Sequence, residues 1–228
     1  MSVRTLLTVG LGLALAATPP SAAVAGVITS PVSAVINSGG PGFGTLNDTL
    51  NQGGLSAGFT SGVTDFDAYL ATNPTHHFGF EGQEWFSNEG LSSATVTYDM
   101  GSVMAISRLA LWNEESSGIG RLDLLSSTDG ITFSPLASIL PFDTIAGDYP
   151  AQVFSFDATD ARFIRFDMSE CPQPDPGPFG LPFVACAIAE VAFDVVEDVT
   201  PPVPAPASLL LLGLGALGAG VLRRFLAV

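Results

Sequence analysis

Two adjacent histidines and two nearby glutamates are the residues of this sequence best suited to acid–base or metal chemistry. His76 and His77, the only histidines, stand in the stretch PTHHFGFEGQEWF. Neighbouring residues of an extended chain point to opposite sides, so the two rings are not expected to bind one metal ion together. Glu81 and Glu84 precede Trp85 and could supply the acid, the base and the stacking ring of glycoside hydrolysis. Solvated loop carboxylates produce the same pattern.

The rest of the sequence offers little to catalysis. A serine hydrolase would need His76 or His77 as its general base, and no glycine-rich phosphate loop precedes a helix. The sequence therefore predicts a protein that is not an enzyme and has no cofactor. A secreted hydrolase that uses Glu81 or Glu84 stays open as an alternative.

Acidic residues dominate the charge of the chain. The formal net charge is -15, and all 22 acidic residues lie between Asp48 and Asp198. Such a surface repels phosphate backbones, so nucleic acid is not an expected partner. Asp65, Asp67 and Glu81 are candidate oxygen ligands for a structural Ca²⁺, although no loop has the spacing of an EF-hand. Whether Ca²⁺ binds stays open.

The N-terminus reads as a secretory signal peptide over residues 1–25. Arg4 supplies its positive charge, Thr5 to Ala17 form its apolar stretch, and small residues lead to a cleavage site after Ala25. We therefore expect the protein to be exported through the inner membrane.

The C-terminus combines an apolar run with two arginines. Residues 207–222 are apolar and are followed by Arg223 and Arg224. At ~1.5 Å per residue the run spans roughly 24 Å as a helix, short of the ~30 Å hydrocarbon core. Snorkelling of the arginines and the apolar residues beyond them make up the difference. We predict a transmembrane helix over 207–222 with a cytoplasmic end, preceded by an acidic, proline-containing linker over 197–203; a helix of a globular core is the alternative.

A proline motif, a hydrophobic helix and a basic cluster occur in that order over residues 203–228. The motif is Val203-Pro204-Ala205-Pro206, and the basic cluster is Arg223-Arg224. This tail resembles the PEP-CTERM sorting signal of Gram-negative bacteria, with Ala205 where the family name has Glu. The resemblance implies an exosortase-type membrane protease as partner, the inner membrane during sorting, and a final location in the envelope, on the surface or in the extracellular matrix. A GPI-type tail and permanent anchoring are the alternatives.

The middle of the chain is rich in strand patterns. Apolar residues alternate in ATVTYDM, RLDLL and ARFIRFDM, whereas ISRLALW changes phase near Ser107 as a β-bulge would. Asp129-Gly130 fits a tight turn between strands. These features predict an all-β, antiparallel β-sandwich.

Five of these pieces also stand in a familiar order: YDMG, ISRLALWNE, Ser127-x-Asp129-Gly130-x-x-Phe133, ARFIRF and IAEVAF. Over residues 91–195 the chain resembles a discoidin domain, the coagulation-factor C-type module with a galactose-binding-like β-sandwich. The resemblance implies a jelly-roll-like domain over 26–196 that binds its ligand through loops at one end. The family's usual disulfide between the domain's ends is absent.

The two cysteines, Cys171 and Cys186, bracket a proline-rich loop in a domain expected to be exported. A disulfide here would close a loop of about 15 residues and stabilise the fold by about 3 kcal/mol. Two free thiols are the alternative.

Five residues are the candidate ligand contacts implied by the discoidin-like loops: Trp85, Trp112, Asn113, Glu114 and Arg121. A tryptophan ring stacks on the apolar face of a sugar, and the polar side chains could bond hydroxyl groups. Both tryptophans could equally be core residues. The sequence thus predicts a carbohydrate-binding protein linked to the exopolysaccharide or biofilm matrix, with a structural acidic matrix protein as the alternative.

Overall fold

The computed structural model describes residues 26–78, 83–144, 147–174 and 183–196. Within these ranges the chain forms ten strands, one short α-helix and one 3₁₀ helix. In chain order they are β1 Val27–Thr29, β2 Ser33–Ser38, the 3₁₀ helix Leu46–Thr49, α1 Phe66–Leu70, β3 Thr75–His76, β4 Trp85–Phe86, β5 Ala94–Asn113, β6 Arg121–Ser127, β7 Ser134–Ile139, β8 Tyr149–Pro150, β9 Gln152–Ser169 and β10 Ala187–Val196. All strand pairings among the described residues are antiparallel, which confirms the predicted all-β class.

One continuous eight-stranded sheet folds over to form the two layers of a sandwich, called the first and second sheets below, and the long strands β5 and β9 contribute to both; β3 and β8 form a separate two-stranded sheet. The first part of β5, up to Asp99, pairs with β2 and with the last part of β9; β6 and β7 complete this first sheet. The second part of β5, from Met104, pairs with β9 and, from Ala105, with β10; β1 and β4 pair with β10 in this second sheet. The β5–β9 register breaks between Asp99 and Met104, and Gly101 has a φ of +85° there. This break marks the passage between sheets.

The main core lies between the two sheets. Tyr98 and Phe166 come from the first sheet, and Leu109 and Phe193 come from the second. The ring centroids of Tyr98 and Phe166 are 5.0 Å apart, and Phe166 reaches Phe193 of the opposite sheet at 6.4 Å. In β6 and in much of β5 and β9 alternate residues face this core, and for that reason a period of two in the sequence predicts these strands.

A second apolar layer covers the outer face of the second sheet. Ala110 and Trp112 alternate with the main-core residues of β5 and pack with Phe66 and Tyr69 of α1. β10 is consequently buried on both faces over most of its length, which explains its nearly continuous apolar sequence.

Two local predictions about irregular backbone are confirmed. The β5–β9 register shifts between Ile106 and Arg108, the position of the bulge expected at Ser107. Gly130 has a φ of +73° in the turn between β6 and β7. The carboxylate of Asp129 accepts hydrogen bonds from the backbone N–H groups of Ile131 and Thr132 and so closes that turn.

The predicted disulfide is also confirmed. Cys171 and Cys186 are bonded, with Cα atoms 5.1 Å apart, and the bond joins the end of β9 to the start of β10. In the parts of the chain that the structure describes, no helix is both long and apolar enough to cross a bilayer. The predicted signal peptide, the linker, the sorting motif and the helix over 207–222 lie outside those parts.

Candidate functional site

The two tryptophans lie in the interior, so the prediction that their rings stack on a sugar is wrong. Trp85 and Trp112 are each 0% exposed. Their indole N–H groups donate to the backbone carbonyls of Pro41, at 3.0 Å, and Pro74, at 3.1 Å. Each ring is therefore covered on its faces and satisfied at its polar edge, which makes both tryptophans core residues.

The polar residues predicted around Trp112 do not form a binding surface either. Asn113 is buried and ties the following turn together through both backbone groups of Ile119. Glu114 is 1% exposed, so it cannot reach a sugar on the surface. Arg121 is half-exposed but lies on β6 in the other sheet, where it donates to the hydroxyl of Ser138.

The predicted calcium ligands have other roles. Asp65 caps the N-terminus of α1 by accepting from the N–H of Ala68 at 2.7 Å. Asp67 forms a two-pronged ion pair with Arg108, which holds the pKa of that carboxyl below its usual range. Glu81 lies outside the described residues. The first two are thus not free to hold a cation together.

Glu84 cannot act as half of a hydrolase's acid pair in this conformation. Its partner in that alternative, Glu81, is outside the described residues, and Glu84 itself is 2% exposed. A glycosidic oxygen must touch the catalytic carboxyl group. A buried Glu84 offers no such contact.

In one region of the molecule, three pairs of consecutive residues each contribute one buried side chain to an inner row and one cavity-lining side chain to an outer row. His76, Glu84 and Tyr149 are buried and form the inner row. Their chain neighbours His77, Gln83 and Asp148 form the outer row and line one open cavity. The short pairing of β3 with β8 places His76 opposite Tyr149 and holds the two rows in register. As predicted, the two histidines point to opposite sides.

Two glutamates from the turn after β5, Glu114 and Glu115, lie close to Glu84 of the inner row. Carboxylate oxygens of Glu84, Glu114 and Glu115 lie within 4.8 Å of one another. Tyr149 donates its hydroxyl to Glu84 Oε1 at 2.7 Å, and His76 Nδ1 is 3.5 Å from the same oxygen. Neither Glu84 Oε2 nor Glu115 Oε2 has a hydrogen-bond partner among the described residues. The acidic trio, as we call these three glutamates, was missed by sequence reasoning because nothing in the sequence shows that residues 84 and 114 meet.

Burial shifts the titration of these groups strongly. Burial, reinforced by the charge of Glu114, raises the pKa of Glu84 to about 9, and the same two causes raise that of Glu115 to about 8. Burial also raises the pKa of Glu114. Burial lowers the pKa of His76 to about 4, so its ring is neutral at pH 7 and does not balance the carboxylates.

A fourth buried carboxyl group stands apart from the acidic trio. Glu190, on β10, accepts from the backbone N–H of Gln52 at 2.8 Å, and its other oxygen has no hydrogen-bond partner. Burial raises the pKa of Glu190 well above its usual value. In the folded state this residue is therefore expected to keep its proton to a higher pH than a solvated glutamate.

The outer row borders a polar cavity of about 310 Å³. Asp148 Oδ1 lies 3.0 Å from Nδ1 of His77, and both side chains are at least half exposed. Gln83 and Thr75 add further polar groups to the lining. This cavity presents a carboxylate, an imidazole and an amide to solvent within one small area.

The cavity also contains the three residue types of a catalytic triad, but the hydrogen bond between serine and histidine that catalysis requires is not formed. Residues 54–58 read GLSAG, a Gly-x-Ser-x-Gly pattern that sequence reasoning overlooked, and Ser56 lines the cavity beside the His77–Asp148 pair. The Ser56 hydroxyl accepts from the N–H of Thr75, and no hydrogen bond among the described residues joins it to His77. Because no helix follows this turn, it is not a nucleophile elbow.

A second cavity of about 300 Å³ meets the first at Asp148. Its lining includes Phe142, whose side chain is 74% exposed. The Gln152 amide bonds both backbone groups of Phe142, and Gln173 donates to the same carbonyl. The loop is thus held in place while the ring stays open to solvent. We call the area formed by both cavities the Asp148 surface; an aromatic residue in a proline-containing loop, ILPFD, was its only sequence signal.

Comparison with known proteins adds one motif and a set of structural likenesses. Residues 202–224 match the PEP-CTERM protein-sorting motif. The motif implies export and a location in the cell envelope or outside the cell. None of the curated proteins matches the sequence.

Several solved carbohydrate-binding modules are similar in structure. Chitosan-binding module 1 of a chitosanase/glucanase from Paenibacillus sp. IK-5 is 16% identical, with 74% of this chain and 96% of that chain covered and a TM-score of 0.44. For CpGH89CBM32-5 from Clostridium perfringens, in complex with GalNAc-β-1,3-galactose, the identity is 16%, the coverage 72% and 94%, and the TM-score 0.45. For the CBM32 of AlyQ, in complex with 4,5-unsaturated mannuronic acid, they are 16%, 73% and 96%, and 0.43. The β-sandwich is assigned above from strand pairing and core packing, independently of these likenesses.

Proposed function

We propose that this chain is an exported, non-enzymatic carbohydrate-binding protein of the cell envelope or the exopolysaccharide matrix. Its sorting would depend on an exosortase-type membrane protease, in keeping with the motif at residues 202–224. The ligand contacts would lie on the Asp148 surface rather than at the two tryptophans.

Phe142 is the observation that carries this proposal. The Phe142 ring is 74% exposed, so it presents a flat apolar face on which the apolar face of a sugar ring can stack. Because Gln152 and Gln173 already fix the loop, little conformational entropy is lost when a ligand binds.

The polar half of the Asp148 surface suits hydroxyl groups. A carboxylate accepts hydrogen bonds from two neighbouring hydroxyls, and the Gln83 amide can both donate and accept. His77 stays in place through its bond to Asp148. Stacking on Phe142 and hydrogen bonding at Asp148 together give a mixed apolar and polar contact of the kind a sugar needs.

The charge of the chain narrows the class of polysaccharide. With a formal net charge of -15, the protein repels polyanions at low salt. Neutral polymers and polymers of amino sugars are therefore the expected ligands.

Retention on immobilised polysaccharides tests the proposal. The exported protein, purified from the envelope, is passed over neutral, amino-sugar and anionic polymers and over the extracellular polysaccharide of the host strain. Retention on a neutral or amino-sugar polymer is expected. Failure to bind any of them, the host polymer included, would favour the structural role of an acidic matrix protein without a specific ligand.

A further inference from the structure

The acidic trio lies in the interior with no positive charge to balance it. Glu84, Glu114 and Glu115 are each at most 2% exposed. The chain has no lysine. Of the arginines in the described ranges, Arg108 pairs with Asp67 and Asp194, Arg162 pairs with Asp99, Arg121 lies near Asp123, and Arg165 stacks over Phe133. Burying carboxylates without a partner is costly, so each of these groups must be neutralised by a proton or by a bound cation.

The neighbouring side chains provide only part of what the carboxylates require. Glu114 is satisfied by the N–H groups of Ser116 and Ser117 and by the Ser116 hydroxyl. Glu84 receives the Tyr149 hydroxyl on one oxygen only. The other oxygen of Glu84 and one oxygen of Glu115 are buried without any hydrogen-bond partner. Both oxygens belong to carboxyl groups of the acidic trio, so they remain available to bind a cation.

We propose that the acidic trio binds one divalent cation, Ca²⁺ by preference, beneath the Asp148 surface. Ca²⁺ binds oxygen ligands at 2.3–2.6 Å, so two ligands on opposite sides of the ion are about 4.6–5.2 Å apart. Oxygens within 4.8 Å of one another can therefore share one ion with little rearrangement.

The donor set selects among cations. Carboxylate and phenol oxygens are hard ligands, which Ca²⁺ prefers, and both cysteines are used in the disulfide. The Nε2 atom of His76 faces Gly54, because a Cβ there would lie 2.0 Å from it. Mg²⁺ demands near-ideal octahedral geometry, whereas Ca²⁺ accepts irregular sets of oxygen ligands such as three converging carboxyl groups.

A bound ion would also stabilise the positions of the outer-row residues. Glu84 and Tyr149 are the chain neighbours of Gln83 and Asp148, which line the polar cavity. Glu84 accepts a hydrogen bond from the Tyr149 hydroxyl, so an ion bound by Glu84 would fix the segment of Gln83 relative to the segment of Asp148. Cation binding itself requires no carbohydrate, so it stands or falls separately from the proposed function.

Terbium luminescence and Ca²⁺ titration test this site on the full exported chain after EDTA treatment. Tb³⁺ replaces Ca²⁺ in oxygen sites, and the Tyr149 ring, bonded to Glu84, is positioned to sensitise its emission. We expect one Tb³⁺ per chain, displaced by Ca²⁺ at sub-millimolar concentration and much less readily by Mg²⁺. About 1 mM Ca²⁺ should also raise the thermal unfolding midpoint.

Matched variants locate the ion. Glu84→Gln and Glu115→Gln each replace a carboxyl ligand by a neutral amide with little change of shape, and each is expected to weaken Ca²⁺ binding at least about tenfold. Asp160→Asn removes one exposed charge and should change nothing. Without metal, both glutamine variants should be about as stable as the parent, since a neutral amide replaces a buried carboxyl group of nearly the same shape, so lost binding is distinguishable from lost folding.

Two results would overturn the proposal. The first is that Ca²⁺ neither displaces Tb³⁺ from the parent protein nor raises its unfolding midpoint. The second is that both glutamine variants bind Ca²⁺ as tightly as the Asp160→Asn control, which would locate the ion elsewhere.

Discussion

Trp112 shows how the surroundings of a side chain decide its role. Its ring packs with Phe66 and Tyr149 in the outer apolar layer, and its indole N–H is bonded to Pro74. Trp112→Ala should therefore lower the free energy of unfolding by about 3–5 kcal/mol. Phe142→Ala, at an exposed ring, should change it by no more than about 0.5 kcal/mol.

Urea unfolding of the two variants measures this contrast directly. A Trp112→Ala protein that is as stable as the parent but no longer binds carbohydrate would show that the tryptophan is a ligand contact after all.

Glu190 makes a prediction about pH. Its folded-state pKa is raised by burial, whereas the pKa of an unfolded glutamate is about 4.3. The folded state then holds a proton that the unfolded state releases, so stability is greatest below about pH 4.3 and is lost as the pH rises towards the folded pKa. Glu190→Gln keeps an acceptor for the Gln52 N–H and does not titrate.

The measurement is urea unfolding of both proteins at several pH values with EDTA present. The advantage of the glutamine variant over the parent should grow from pH 5 to pH 8. Parallel pH dependences for the two proteins would mean that Glu190 does not hold its proton in the folded state.

Single residues were the hardest part to predict from the sequence. The disulfide could be predicted because two cysteines in an exported chain have few alternatives. The burial of the two tryptophans could not be predicted, since the carbonyl groups that accept their indole N–H groups, on Pro41 and Pro74, come from remote segments. The acidic trio depends in the same way on a contact between residues about 30 positions apart.

At the scale of elements, the segment before the 3₁₀ helix lies directly on β4. Gly42 has a φ of +76°, and a Cβ there would lie 1.8 Å from the carbonyl oxygen of Phe86. Gly62 has nearly the same φ, +72°, but nothing lies within 4 Å of its Cβ position. Gly62→Ala should therefore cost only the backbone strain, about 1–2 kcal/mol.

Gly42→Ala should lower the free energy of unfolding by clearly more, because the neighbouring backbone must move in addition to the strain at residue 42 itself. Thermal unfolding of the two alanine variants side by side gives the comparison. Equal losses would mean that residues 39–44 can move off β4 without consequence.

The elements themselves divide into those with a sequence pattern and those without one. The parts of β5, β6 and β9 were predictable because their alternate residues face a core. The sequence did not predict that the two patterns at 94–100 and 106–112 form a single strand, because continuity through Gly101 depends on pairing with β9. β3 and β8 have two residues each, too few for any period to show, yet they hold the inner and outer rows together.

For the whole molecule, composition and the ends of the chain carry more information than any single motif. The acidic surface disfavours nucleic acid and polyanionic ligands, and the sorting motif implies export. The position of the ligand surface could not be obtained in this way, because the Asp148 surface is assembled from remote segments: residues 53–56, the β3 region, Gln83 and the segments on either side of residues 145–146.

Affinity for a polysaccharide that retains the parent protein is the most direct test of the account. Phe142→Ala removes the proposed stacking ring, and Asp148→Asn removes the charged hydroxyl acceptor. Each should weaken binding by about tenfold or more, as expected when a contact of at least about 1.4 kcal/mol is lost, while Ile131→Ala, at another exposed apolar residue, leaves it unchanged. If both variants bind as tightly as the Ile131→Ala control, the Asp148 surface is not where this protein holds carbohydrate.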